Sequence, residues 1–216
     1  RHAIELLRLF AEYHPRLRFH LEIHPALLPQ SVREVLKSMP HGLLHLEAGI
    51  QSLRQEVLDG SLRKGTLEQS LDGLRYLCSL QNLVTHADLI AGLPRYTLAQ
   101  IYEDIHTLAE YRAGEIQLES LKLLPGTLMR RDAVTLGIRY SPLPPYEVLA
   151  TDVISSTELQ EARRLSRLLD AYYNTPAWQS LTRELILDNV TFLYHFLNYL
   201  TEANLIDTPM SLEKRG

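Results

Sequence analysis

Four short apolar runs, at residues 18–23, 43–48, 83–90 and 115–123, alternate with stretches of helical periodicity near 2–13, 31–38, 53–59, 66–80 and 97–111. That order, with short loops between, leaves one economical architecture: parallel strands in one sheet, with the helices outside it. Ser31 is placed to cap one helix, and Thr66 with Gln69 has the spacing of a capping box for another. A closed eight-stranded barrel needs twice as many strands. The fold expected is therefore α/β, a partial TIM-type barrel with parallel strands. The pattern changes after Pro125-Gly126-Thr127, where residues 129–155 read as a proline-containing connector. A helical C-terminal region follows over 156–216, with one helix from a Ser156 or Thr157 cap to about 175 and another over 178–202. The three expected segments are thus 1–128, 129–155 and 156–216.

In parallel α/β folds ligands bind at the carboxyl ends of the strands, so the polar groups ending each run are the candidates. They are Glu22 and His24, then Glu47, Gln51 and Ser52, then Asp88, and finally Lys122. Arg63 lies beyond the next helix, where it could fold back toward the strand ends. Carboxylates accept hydroxyl and ammonium hydrogens, an amide does both, and arginine grips a carboxylate bidentately. Together they suit a ligand with a ribose diol, an amine and a carboxylate. Gly49 and Gly92 would let the backbone approach that ligand closely.

Composition narrows the classes. A net charge of −4 offers no bulk attraction for nucleic acid or an anionic membrane. The most apolar late stretch, residues 185–200, carries Asp188, Asn189, His195 and Asn198, which argues against a membrane span. One cysteine, Cys78, rules out an internal disulfide framework or a cysteine-rich metal site and suits a cytoplasmic setting. Its neighbours Leu74, Leu77 and Leu80 make it a core residue. The aromatic stripe of Trp178 and the tyrosines at 172, 173, 194 and 199 also reads as core. Residues 2–10 already form an amphipathic helix without a methionine or cap before it, as in a chain opening in mid-element.

The run Gly49-Ile50-Gln51-Ser52, an arginine twelve positions after the glutamine, and Asp88-Leu89-Ile90-Ala91-Gly92-Leu93-Pro94 resemble the radical S-adenosylmethionine (SAM) superfamily. The match is nearest the branch of oxygen-independent coproporphyrinogen oxidase and the cobalamin-binding radical enzymes. Leu121-Lys122-Leu123-Leu124-Pro125-Gly126-Thr127 fits that branch's sixth strand. The resemblance implies a partial (β/α)6 barrel whose third to sixth strands lie in this chain. It also implies a radical SAM oxidoreductase or transferase that cleaves SAM reductively at a [4Fe-4S] cluster, acts on an unknown substrate, and binds cobalamin through an N-terminal domain. Glu22, Gln51, Arg63 and Asp88 would lie around the ribose and methionyl groups, with Ile90 and Gly92 near the adenine.

The family's CxxxCxxC loop is absent here, as is the glycine-glycine-glutamate turn that grips the methionine amine. The chain alone is therefore expected to hold neither cluster nor cofactor and to be inactive, with no catalytic residue or metal ligand assignable within it. Two alternatives carry other expectations. His20, Glu22 and His24 alternate along one strand face and could bind the metal of a TIM-barrel hydrolase. A non-enzymatic interaction module would instead use the open sheet edge for self-association.

Overall fold

The computed structural model describes residues 2–61 and 65–208. A helix α1 (His2–Glu12) leads into β1 (Phe19–Ile23), a 3-10 turn (Pro25–Leu27) and α2 (Gln30–Lys37). Next come β2 (Leu44–Gln51), α3 (Gln55–Gly60), α4 (Leu67–Ser79), β3 (Val84–Ala91), α5 (Leu98–Glu110) and β4 (Glu115–Ser120). The four strands form one all-parallel sheet in the order β1-β2-β3-β4, an α/β architecture consistent with an incomplete TIM-type barrel.

Local chemistry explains the elements. The side chain of Thr66 accepts from the Gln69 N–H, and the Gln69 side chain accepts from the Thr66 N–H, closing the expected capping box of α4. Thr97 and Gln100 do the same for α5. Ser31 does not cap α2. The helix starts one residue earlier, behind Pro29, whose fixed φ of −67° holds the chain extended just before the first turn. The helix Ser156–Leu168 is capped by Ser155, one residue ahead of the expected start, with Glu158 completing the box.

Strand alternation sorts the two faces of the sheet. Leu46, Ala48 and Ile50 of β2, Ala87, Leu89 and Ala91 of β3, and Ile116 and Leu118 of β4 are buried against the helices. Burying a Leu or Ile side chain contributes about 1.5–3 kcal/mol, so this face carries much of the fold's stability. The opposite, concave face is polar: His20 and Glu22, then His45, Glu47 and Gln51, then His86 and Asp88, then Glu115, Gln117 and Glu119.

Residues 129–155, expected as a connector, contain structure of their own. After α6 (Leu128–Arg131), β5 (Arg139–Tyr140) pairs antiparallel with β6 (Val148–Ala150). The β6 side also ties back to the sheet, because the Val148 N–H donates to the Leu121 carbonyl at 2.9 Å. Helix α7 (Ser156–Leu168) continues as a π-helical segment (Leu169–Tyr173), and the expected final helix is two, α8 (Pro176–Asp188) and α9 (Phe192–Glu202).

Of the aromatic stripe, Tyr172 and Tyr173 are core while Tyr194 and Tyr199 are exposed. Cys78 packs against the core, and burial pushes its thiol pKa up to about 12, which makes it inert at neutral pH. The C-terminal helices seal one edge of the sheet. Asn174 accepts the Ile116 N–H and donates to its carbonyl, both at 2.9 Å, so an amide side chain imitates a fifth strand. Tyr173 donates to the Ala113 carbonyl and Gln179 to that of Gly114. No helix among the described residues is long and apolar enough to cross a membrane.

Candidate functional site

A cavity of about 430 Å³ opens on the concave face at the carboxyl ends of the strands. Glu22, Ile23, His24, Glu47, Gly49, Gln51, Asp88, Ile90, Gln117 and Glu119 line it. Four of the six residues expected to bind a cofactor, Glu22, Gln51, Asp88 and Ile90, thus meet in one place. Gly92 does not line it: its φ is +93°, and a Cβ there would press on Val148 at 3.3 Å and on Leu121, so this glycine serves packing. Arg63 lies outside the described residues. Lys122 lines a different cavity, beside Leu128 and Met129. Ser52 is fully buried, and its hydroxyl donates to Asp104.

The strongest local signal is Gln51. Its φ of +67° places a non-glycine residue in the left-handed region, at a cost on the order of 1–2 kcal/mol. The register between β2 and β3 shifts between Gly49 and Gln51. Such a bulge re-aims a side chain at the end of a strand, and strain of this kind collects at binding sites. Here it puts Gln51 on the cavity wall. The loop that follows is fixed from behind by Asp104 of α5, which accepts the Leu53 N–H at 2.8 Å and the Arg54 Nε–H at 2.9 Å.

The cavity is an acidic chamber. Glu22, Glu47, Asp88 and Glu119 line it, and no lysine or arginine does among the described residues. Such a site favours a cationic or hydroxyl-rich ligand and repels a phosphate.

One residue layer nearer the amino ends of the strands sits a histidine cluster. The rings of His20 and His45 stack at 4.7 Å, and His86 lies 5.7 Å from His45. His20 donates from Nε2 to Glu47 at 2.8 Å. The set His20, Glu22 and His24 does not assemble. The backbone positions i and i+2 on a strand are about 6.6 Å apart, whereas neighbouring strands are about 4.8 Å apart, and the metal-like groupings form across strands. Among the described residues, the groups whose donor atoms do converge are His20, Glu47 and His86, and His45, His86 and Glu115.

Burial lowers the pKa of His45, with Glu115 opposing and His20 and His86 reinforcing. Burial also pulls His86 down, but Asp88, Glu115 and Glu47 outweigh it and the net shift is upward. His86 Nε2 lies 3.0 Å from Asp88 Oδ1, off the axis of a well-formed hydrogen bond. A histidine whose pKa is raised on folding contributes stability fully present below its unfolded value of about 6.5, and lost as pH rises through the folded value. In metal-free Asp88→Asn the His86 titration, followed by imidazole NMR, is expected to move down, and this acid-side stabilisation should shrink. An unmoved midpoint would contradict the pairing.

A family described only as a protein of unknown function, DUF4080, matches residues 135–215. No curated protein matches the chain. Among solved structures, the radical S-adenosylmethionine methyltransferase TsrM from Kitasatospora setae, with cobalamin and a [4Fe-4S] cluster bound, superposes with a TM-score of 0.53. It is 18% identical and is matched over 71% of this chain and 32% of its own. The same enzyme with tryptophan and a SAM analogue bound gives 0.53, 18%, 73% and 32%. Elp3 from the archaeon Methanocaldococcus infernus gives 0.50 at 12% identity, over 88% of this chain and 42% of its own. The chain therefore spans about a third of the length of TsrM. At these identities the likeness is one of fold alone, in keeping with an incomplete TIM-type barrel.

Proposed function

We propose that the acidic cavity at the strand ends is the SAM-binding part of a radical SAM enzyme, with the substrate unassigned. The observation that carries this reading is the convergence of Glu22, Asp88 and the strained Gln51 on one cavity with no lining cation. SAM bears a sulfonium, an ammonium and a ribose diol, the groups that carboxylates and an amide bind best. The cavity volume falls in the range of small-molecule sites, roughly 300–1,000 Å³.

The cluster is a different matter. The only cysteine, Cys78, is half-buried on α4 with its thiol held protonated, so this chain's residues do not fit a [4Fe-4S] group. Bound SAM supplies a 5′-deoxyadenosyl group for radical chemistry. The contribution of this chain is to bind and orient that molecule: Glu22 and Asp88 hold hydroxyl or ammonium hydrogens, Gln51 fixes the orientation, and Ile90 offers an apolar wall.

Although the sequence predicts that the chain alone holds no cofactor, the assembled cavity wall should bind SAM weakly, which NMR titration of the 216-residue chain with methyl-labelled SAM measures. Asp88→Asn and Glu22→Gln are each expected to weaken that binding by about tenfold or more, the loss of a ~1.5–3 kcal/mol hydrogen bond to a charged group. AMP, which carries a phosphate, should bind far more weakly than SAM. Equal affinity in both variants, or preference for AMP, would sink the assignment.

A further inference from the structure

We propose that His45, His86 and Glu115 form a transition-metal site of the zinc type on the concave face, one residue layer below the acidic cavity. The three residues come from β2, β3 and β4, with His86 and Glu115 directly opposite each other in the register. Glu115 Oε2 lies 3.9 Å from both His45 Nε2 and His86 Nδ1. All three donor atoms fall within 4.8 Å of one another. Separations of 3.9 Å are too long for hydrogen bonds. They are close to the roughly 3.3 Å between ligand atoms that sit about 2.0–2.1 Å from a tetrahedral zinc ion, so small rotations of two side chains would close the site.

Two further observations point to a ligand. Both His45 Nε2 and His86 Nδ1 are buried and make no hydrogen bond, although a buried polar atom normally has a partner. His86, whose side chain is only 3% exposed, also turns its other nitrogen toward Asp88 at 3.0 Å. A metal-bound histidine characteristically gives its second N–H to a carboxylate, which fixes the tautomer and aims the first nitrogen at the ion. Here the arrangement would aim Nδ1 at the gap shared with His45 and Glu115. Two imidazoles and one carboxylate select zinc, cobalt or nickel over magnesium or calcium, and leave a fourth position for water. The competing set of His20, Glu47 and His86 is less suited, since His20 and Glu47 are already bonded to each other at 2.8 Å.

The test uses zinc and cobalt(II) directly. The metal-free 216-residue chain is dialysed against each ion and the retained metal is measured, with the visible absorption of cobalt reporting its coordination. About one ion per chain is expected, with tetrahedral-type cobalt absorption. His45→Ala and Glu115→Gln alter half-buried positions, and circular dichroism checks that they fold. Each should weaken binding by at least a hundredfold, and Asp88→Asn by about 10–100-fold. His41→Ala, at an exposed site, should change nothing. Retention of no metal would overturn the site, as would full affinity in His45→Ala and Glu115→Gln, or loss confined to His20→Ala and Glu47→Gln. None of the three ligands lines the acidic cavity, so SAM titration of Glu115→Gln separates failure of this site from failure of the SAM reading.

Discussion

Asp104→Ala is expected to destabilise the fold by about 3–5 kcal/mol, a large share of the roughly 5–15 kcal/mol available to a domain. The Asp104 side chain is 1% exposed and gathers four donors from two loops. The Tyr96 hydroxyl donates to it at 2.6 Å, the Leu53 N–H at 2.8 Å, the Arg54 Nε–H at 2.9 Å and the Ser52 hydroxyl at 3.2 Å.

Burial pushes the Asp104 pKa up while Tyr96, Leu53 and Arg54 pull it down, and the net shift is upward. The Arg54 pKa is also raised, burial opposing and Asp104 prevailing, which taken alone makes the pair look favourable. Desolvation acts on both groups but more heavily on the carboxylate, whose side chain is 1% exposed against 30% for Arg54. Replacing both partners with apolar groups could therefore be nearly neutral, but removing Asp104 alone strands a buried phenol, an amide and part of a guanidinium. The same change frees the loop behind Gln51, so SAM affinity should fall with stability. Urea unfolding measures the effect; a loss below about 1 kcal/mol would show that the contacts carry little.

Gly73→Ala should also destabilise, against the usual helical preference. Alanine is favoured over glycine inside a helix by about 1 kcal/mol. At position 73 of α4, however, a Cβ would lie 2.1 Å from the Pro25 carbonyl oxygen and 2.7 Å from its carbon. These are backbone atoms that cannot rotate aside, so the 3-10 turn must move. Overpacking of this kind costs about 1–3 kcal/mol, and the clash here belongs at the upper end. The displaced turn follows His24, which lines the acidic cavity, so a lower Tm should come with weaker SAM binding. A raised Tm would mean that the turn yields easily.

The parallel sheet was legible because apolar runs and helical periodicity alternate over long stretches, and the box of Thr66 and Gln69 is a local code. The β5–β6 pair was not, since strands of two and three residues around a proline-rich loop have no period to detect. Asn189-Val190-Thr191 interrupts what reads as one aromatic helix, and only packing shows the break. Glu22, Gln51 and Asp88 could be found because each ends an apolar run. Asp104 could not: it looks like an ordinary polar residue of a helix, and three of its partners lie about fifty positions away. Within one strand, alternation makes His20, Glu22 and His24 look like a metal-like group. The groups that do converge assemble across strands, and that depends on register, which no single strand encodes.

The side-chain seal made by Asn174 gives the sheet a direction of growth. The β4 edge is already bonded at Ile116, which leaves the edge of Phe19–Ile23 as the more open place for a further strand. A strand arriving there in parallel would set its carboxyl end next to Glu22, at the mouth of the acidic cavity. Extension of the sheet and completion of the ligand wall would then be a single event, so a partner that recognised only the free backbone edge would also enclose the ligand.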